Sequence, residues 1–290
     1  MQINDDRADS FWRCPSCQQA LAWQNNAWRC DNKHSFDRAK EGYVNLLLAQ
    51  QKSSKDPGDN KDMVAARRAF LEQEHYLPLA EKMASLILAN QTDYPEALSP
   101  ILSIYDAGCG EGYYLAKIKK YLAEAGKRLV ASGSDIAKPA IQKAAKKYPD
   151  IHYAVASSFN LPVASHSQDL VLQVFAPSSP SEIQRILKLD GLWMKVTPAS
   201  HHLYELKQFV YAQAETHEPE TQIPAGFELL TLSHVPFKMS LTSPQQRESL
   251  LMMTPFYWTI SEEKKLSLMQ DLTTVSADFD ITLMQKKAES

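Results

Sequence analysis

No uninterrupted apolar run in these 290 residues approaches the ~20 that a membrane-spanning helix requires. The first ten residues, MQINDDRADS, are acidic and polar, and lack the basic start and apolar stretch of a secretory signal. A cytoplasmic protein without membrane contact is the resulting expectation. Neither an internal repeat nor a low-complexity tract is present. Charge of one sign is not in excess either. The 31 Lys+Arg against 34 Asp+Glu give a net charge of −3, which argues against a uniformly basic nucleic-acid binder. A hydrophobic share of 44% and a charged share of 22% are ordinary for a globular chain, which excludes disorder, collagen and coiled coil as global descriptions. The length suffices for one large domain or two smaller ones with a real core.

The balanced charge hides a pattern. Residues 11–70 carry ten basic and six acidic side chains, and residues 113–150 carry nine basic and three acidic, so the rest of the chain is acidic. Two basic blocks can present one face to a polyanion. They can equally be solvated helix faces, and charge alone does not choose.

Cysteine is scarce, with four in all, yet three fall within 17 residues. Cys14, Cys17 and Cys30, followed by His34, have the spacing C-x2-C-x12-C-x3-H. Pro15 fixes one dihedral of the tight C-P-S-C turn, so two thiolates can face one centre. The second pair completes a tetrahedral set of three sulfurs and one nitrogen, the outline of a zinc-ribbon-like knuckle. Four protein ligands leave no open position, so the predicted Zn2+ is structural. Disulfides are not expected in a cytoplasmic protein. Cys109 remains as a small packing residue in a glycine loop.

Residues 35–50 read as ordered and partly apolar. QKSSKDPGDNKD (51–62) is polar, with Pro57 and Gly58, and reads as a loop or linker. Helical spacing runs from Met63 to about Asn90 with a break near Pro78, and a second linker, TDYPEALSP, ends at Pro100. Beyond it, strand-like and helix-like segments alternate. ILSIYDAG, RLVASGSD, IHYAVAS, DLVLQVF and LWMKVTP read as strands. YYLAKIKKYLAEA, KPAIQKAAKKYP, SEIQRILKL and HHLYELKQFVYAQA read as helices. That order predicts an α/β fold with a parallel sheet covered on both faces. ADFDITLMQKK alternates like a further strand, antiparallel at the sheet edge.

The segment D-A-G-C-G-E-G (106–112) joins the first of these strands to the first helix. It lies at the carboxyl end of a parallel strand, where open α/β sheets bind ligands. Asp135 ends the next strand and can accept hydrogen bonds from both hydroxyls of a ribose. The glycine run, Gly108, Gly110 and Gly112, is G-x-G-x-G and departs from the dinucleotide fingerprint G-x-G-x-x-G. S-adenosyl-L-methionine has no pyrophosphate to cradle, and Asp106 can help hold its ammonium. The loop resembles the first motif of Rossmann-like class I methyltransferases.

In order along the chain stand the zinc knuckle, FDRAKEGYVNLL, SKDPGDNKDMVAARRAFLEQEHY, DAGCGEGYY, VASSFNLP, FAPSSPSEIQRILK, TPASHHLYELK and MTPFYW. This series resembles the 23S rRNA (guanine-N1)-methyltransferases from about residue 11 to the C-terminus. The resemblance implies methylation of N1 of a guanine in a hairpin loop of 23S rRNA, and association of two copies into a homodimer. It also implies zinc ligation by Cys14, Cys17, Cys30 and His34, and cofactor contacts at Tyr76, Gly110, Glu111 and His202. Asp135 matches the ribose-binding acid of the wider fold, and Ser157 stands where that fold often places an acid near the adenine. On this reading residues 1–50 are a zinc-binding RNA-recognition domain with a following segment. Residues 51–62 are a polar loop, and 63–290 are the methyltransferase domain.

Two further absences narrow the chemistry. Amine methyltransferases acting on adenine usually carry an N/D-P-P-F/Y/W turn, where this chain has F-A-P-S. Pyrimidine C5 chemistry needs a nucleophilic cysteine, and none is free. A ring nitrogen fits what remains. The proton leaving N1 could pass to water, to Asp56 or Asp59, or to a histidine, and the sequence does not decide. Two rival readings share these features, a small-molecule methyltransferase and a non-catalytic zinc-ribbon RNA-binding protein.

Overall fold

The computed structural model describes residues 11–51, 58–90, 101–211, 213–218 and 222–288. The N-terminal ten residues, the linker reading at 92–100 and residues 52–57 of the polar tract lie outside the described residues. Within them, no helix is long and apolar enough to cross a membrane.

Three short strands, β1 (Ala22–Gln24), β2 (Ala27–Arg29) and β3 (Ser35–Asp37), form a small antiparallel sheet. Asn25 and Asn26 turn β1 into β2, both with positive φ (51° and 62°), the hairpin conformation that asparagine tolerates. The knuckle does not stand apart from the rest. Arg13 donates its backbone N–H to Pro162 O (2.9 Å), and Ala164 donates to Phe11 O (2.7 Å). Trp12, Cys14, Leu21, Trp28 and Cys30 share one buried cluster with Val163 and with Tyr105, Trp193 and Met284 of the large sheet.

That sheet has eight strands, defined as β4 (Val44–Asn45), β5 (Leu102–Ala107), β6 (Leu129–Asp135), β7 (His152–Val155), β8 (Gln168–Val174), β9 (Leu187–Pro198), β10 (Phe227–Ser240) and β11 (Thr274–Lys286). Their order is β10-β11-β9-β8-β5-β6-β7-β4. β4 through β9 pair in parallel, and β11 pairs antiparallel with both β9 and β10. The C-terminal strand is therefore antiparallel as read, but it is one place in from the edge. β10 takes the edge, and Pro236 suits that position because a proline lacks the N–H an inner strand must donate.

Helices α1 (Lys61–Glu72), α2 (Leu77–Ala89), α3 (Tyr113–Glu124) and α4 (Lys138–Lys147) supply the covering layers on the β5–β7 side. Asn60 caps α1, accepting hydrogen bonds from Asp62 N–H and Met63 N–H. Beyond them come α5 (Pro180–Ile186), α6 (Tyr204–Val210), α7 (Pro244–Met252) and α8 (Glu262–Asp271). Two helices are shorter than their sequence suggests. α5 stops at Ile186 because Leu187 already enters β9, which bulges at Asp190 (φ 60°) and Gly191. α6 starts only at Tyr204, since 201–203 form a turn held by Asp278 Oδ2, which accepts from His201 N–H (2.8 Å).

The basic excess of residues 113–150 is partly neutralised at the surface. Lys117 pairs with Glu74, Lys119 with Asp150, Lys120 with Glu124 and Lys147 with Glu72. Each such pair contributes at most ~1 kcal/mol, so their main effect is on the field the block presents.

Candidate active site and metal centre

Two similar knuckles bring the four metal-ligating side chains together. Gln18 N–H donates to Cys14 O, and Lys33 N–H donates to Cys30 O, closing turns whose last residues are left-handed (φ 68° and 63°). His34 Nδ1 lies 3.5 Å from Cys14 Sγ and 3.4 Å from Cys30 Sγ, and Cys17 Sγ lies 3.6 Å from Cys30 Sγ. All four ligand atoms fall within 4.8 Å of one another. A tetrahedron with bonds of about 2.0–2.3 Å has edges of about 3.4–3.8 Å, so this donor set fits Zn2+ with no position left for water.

The second centre is a cleft of about 550 Å³ at the carboxyl ends of β5, β6, β8 and β9. Gly108, Gly110, Glu111, Asp106 and Asp135 line one side, and Tyr76 and His202 also line it. Asp135 is half-buried. Its Oδ2 accepts Gly110 N–H (2.9 Å) and its Oδ1 accepts Ala137 N–H (2.8 Å). Each oxygen keeps a lone pair for a ligand hydroxyl. Burial raises its pKa, opposed by those two backbone bonds. A Cβ built on Gly110 meets nothing within 4 Å, so this glycine leaves open the space where a ligand sits.

Asp106 and Glu111 are buried, and Asp106 Oδ1 and both Glu111 carboxylate oxygens have no hydrogen-bond partner. Burial, with the nearby Asp135, pushes Asp106 up to about 8. Burial outweighs Lys147 and Arg68 at Glu111 and pushes it up to about 7. Unpartnered acids in a cleft suit a cationic ligand. S-adenosyl-L-methionine, with its ammonium and sulfonium, fits that requirement.

Tyr76, at the start of α2, packs edge-on against Phe70 (5.4 Å) and Phe279 (5.1 Å). His202 Nδ1 accepts Asp278 N–H at 3.3 Å, so Nε2 carries the ring proton. Burial, with His217 and Lys207, pushes its pKa down to about 3, which keeps the ring neutral.

Two residues named from the sequence fall outside the cleft lining. Ser157 uses its Oγ to accept Phe159 N–H (3.2 Å), which turns it into the local loop, and Ser158 lines the cleft instead. Gly112 (φ 84°) starts α3, where an added Cβ would collide with Tyr153 Oη, so its demand is steric. Met253 also lines the cleft, as do Phe175, Lys207 and His217. Phe175, Met253 and Lys207 lie in the family-like segments FAPSSPSEIQRILK, MTPFYW and TPASHHLYELK, whereas His217 lies in none. Gly58 and Asp59, the described end of the polar tract, also reach the cleft, Asp59 paired with Arg67.

The zinc-ribbon family model described as RlmA, N-terminal, matches residues 12–55, and the model described as Methyltransferase domain matches residues 104–191. A 23S rRNA (guanine-N(1)-)-methyltransferase named as putative in Micromonospora griseorubida is 34% identical over 212 residues, 67% of this chain and 68% of that protein. The chain belongs to the 23S rRNA (guanine-N1)-methyltransferase family. Another relative, the 23S rRNA (guanine(748)-N(1))-methyltransferase of Streptomyces fradiae, is 38% identical over 198 residues, 68% of this chain and 66% of that protein. The family likeness runs nearly end to end with YxjB of Bacillus subtilis (strain 168), named a putative 23S rRNA (guanine-N(1)-)-methyltransferase. It is 29% identical over 95% of this chain and 96% of that protein. As a family member the chain combines a Rossmann-like class I methyltransferase domain with a zinc ribbon, and it uses S-adenosyl-L-methionine and structural zinc.

The unpartnered carboxyls give a pH signature. A cation beside Asp106 and Glu111 favours their ionised forms, so binding expels protons. S-adenosyl-L-methionine affinity is expected to rise from pH 6 to pH 8.5, by at most about tenfold per pH unit for each carboxyl still protonated. Calorimetry in buffers of unlike ionisation enthalpy reads the proton release. The ligand-free fold runs the other way. Because both folded pKa values are raised, the stability they contribute is full below the ordinary carboxyl range near about 4. It is lost as pH rises through about 7 and about 8. Flat affinity over this range would mean both groups are already ionised without ligand.

Proposed function

We propose that this chain transfers a methyl group from S-adenosyl-L-methionine to N1 of a guanine in a hairpin loop of 23S rRNA, in the cytoplasm and as a homodimer. The observation that carries the reading is the zinc ribbon sharing one hydrophobic cluster with the methyltransferase sheet. A small-molecule methyltransferase has no need of such a module, whereas zinc knuckles serve in RNA recognition. The names of the relatives agree. In this reading residues 1–50 contact RNA, 51–62 join them to the cleft, and 63–290 hold the cofactor.

The cofactor supplies an electrophilic methyl carbon. Asp106 and Glu111 would face its cationic end, Asp135 would take its ribose hydroxyls, and Gly110 would leave room for it. Tyr76 and His202 border it. Alignment of acceptor and donor in such a cleft can supply ~7–11 kcal/mol of the barrier reduction. The guanine must be unstacked to enter, which costs a few kcal/mol and least in a loop.

N1 methylation blocks the Watson–Crick edge, so reverse transcriptase stops there. Primer extension on 23S rRNA from cells with and without the gene is expected to show one gene-dependent stop, restored by purified protein. RNA binding is expected to weaken as salt rises, through counterion release. Identical stops in both strains, with no methyl added in vitro, would refute the substrate.

A further inference from the structure

Apart from the Asp59–Arg67 pair, the cleft lining is divided between acidic and basic side chains. Asp106, Glu111 and Asp135 belong to β5, β6 and the loop between β5 and α3. His202, Lys207 and His217 belong to the segments after β9. β8 separates β5 from β9, which puts the two ends about 10 Å apart at the ordinary strand spacing. The acidic half suits the cofactor. A basic half suits an acceptor that becomes anionic as it reacts.

Lys207 is 6% exposed, and among the described residues its ammonium has no carboxylate partner. Its Nζ donates to the backbone oxygen of Glu215 at 3.0 Å, leaving two protons unused. A buried cation without an anion is costly unless one arrives. Burial lowers its pKa and Glu215 raises it. The same loop is tied down a second time by His217, whose backbone N–H donates to Ser200 O at 3.0 Å. No hydrogen bond among the described residues engages the ring nitrogens of His217, which lies 6.4 Å from His202 between ring centroids. Burial and Lys207 lower its pKa, which favours the neutral ring. The titratable and charged groups around it are His202 after β9, Lys207 on α6, and Glu215 and Glu218 of its own loop. The other carboxylate of the cleft that could serve, Asp59, is held by Arg67.

We propose that Lys207 and His217 form the acceptor half of the cleft, with Lys207 holding O6 of the guanine and His217 taking the proton from N1. The inference rests on the proposed N1-guanine reaction. Phe175, 41% exposed with φ 55° at the end of β8, offers the ring face on which the base stacks. As the N1–H bond breaks, its proton passes to the His217 imidazole and negative charge spreads onto O6 beside the Lys207 ammonium. The N1 lone pair forms the new bond to the methyl carbon while the methyl–sulfur bond breaks, its electrons staying on sulfur. The imidazolium then gives its proton to water.

The test uses the full-length protein, a 23S rRNA hairpin and single-turnover methyl transfer. His217→Gln is expected to slow transfer about 100-fold or more, with RNA and S-adenosyl-L-methionine affinities unchanged and the acid limb of the pH–rate profile lost. An RNA carrying 8-azaguanine, whose N1 is more acidic, should recover most of that rate. NMR titration of the His217 ring, independent of activity, should give a pKa below the ordinary histidine range that rises in Lys207→Met. A His217→Gln rate within threefold of wild type with an unchanged profile would overturn the proposal while leaving the N1-guanine reading intact. Wild-type protein that adds no methyl to N1 would overturn both.

Discussion

Removing the metal is expected to unfold residues 12–37 and to lower the melting temperature of the whole protein. Structural zinc contributes apparent binding energies of about 10–16 kcal/mol in isolated knuckle peptides, which is folding energy in another form. Here the loss spreads, because Trp12, Leu21 and Trp28 pack in one cluster with Tyr105 and Trp193 beneath the strands that carry the cleft. Loss of the metal therefore reaches the methyltransferase sheet and does not stay within the ribbon. Cys14→Ser should reproduce the effect of a chelator. Tryptophan fluorescence and thermal melts with and without chelator read it, with metal analysis as the control. Unchanged melts, or purified protein with no bound metal, would remove the premise.

The glycine loop is expected to answer substitution in two opposite ways. Gly110→Val should leave the fold largely intact while abolishing cofactor binding, because its side chain projects into open cleft space. The positive φ of 54° adds a strain of about 1–2 kcal/mol, and that is the whole folding cost. Gly112→Ala should do the reverse. Its Cβ meets Tyr153 Oη at a φ of 84°, so strain and overpacking together cost about 2–5 kcal/mol of stability. Urea titration and calorimetry on the same two variants separate the effects. Equal loss of stability in both would mean that the cleft at Gly110 is not open.

Most of the sheet was legible because its signals are local. The five parallel strands after residue 100 are short apolar runs bounded by turns, and the knuckle is fixed by ligand chemistry within 21 residues. β10 was not read, although FELLTLSHVPFKMS alternates, because Pro236 argues against a strand until its edge position is known. β4 is only two residues long and exists through its partner β7. The acidic half of the cleft follows from one motif and the end of one strand. His217 lies in none of the family-like segments, and Lys207 only ends TPASHHLYELK, where no spacing singles it out. They reach the cleft through the tie from Lys207 to Glu215 and the tie from His217 to Ser200, which no spacing in the sequence reveals.

The place of β11 has a consequence for how the chain is made. Residues 274–286 emerge from the ribosome after every other strand, yet they insert between β9 and β10. β10 has no other partner in the sheet, so it waits unpaired until they arrive. Phe279, at the middle of β11, also backs both Tyr76 (5.1 Å) and His202 (4.5 Å). The cleft wall is thus completed only once β11 has been made, and a nascent chain paused before residue 274 holds the glycine loop but not that wall. Zinc capture at residues 14–34 can precede every strand of the large sheet, whereas competence waits until β11 closes it.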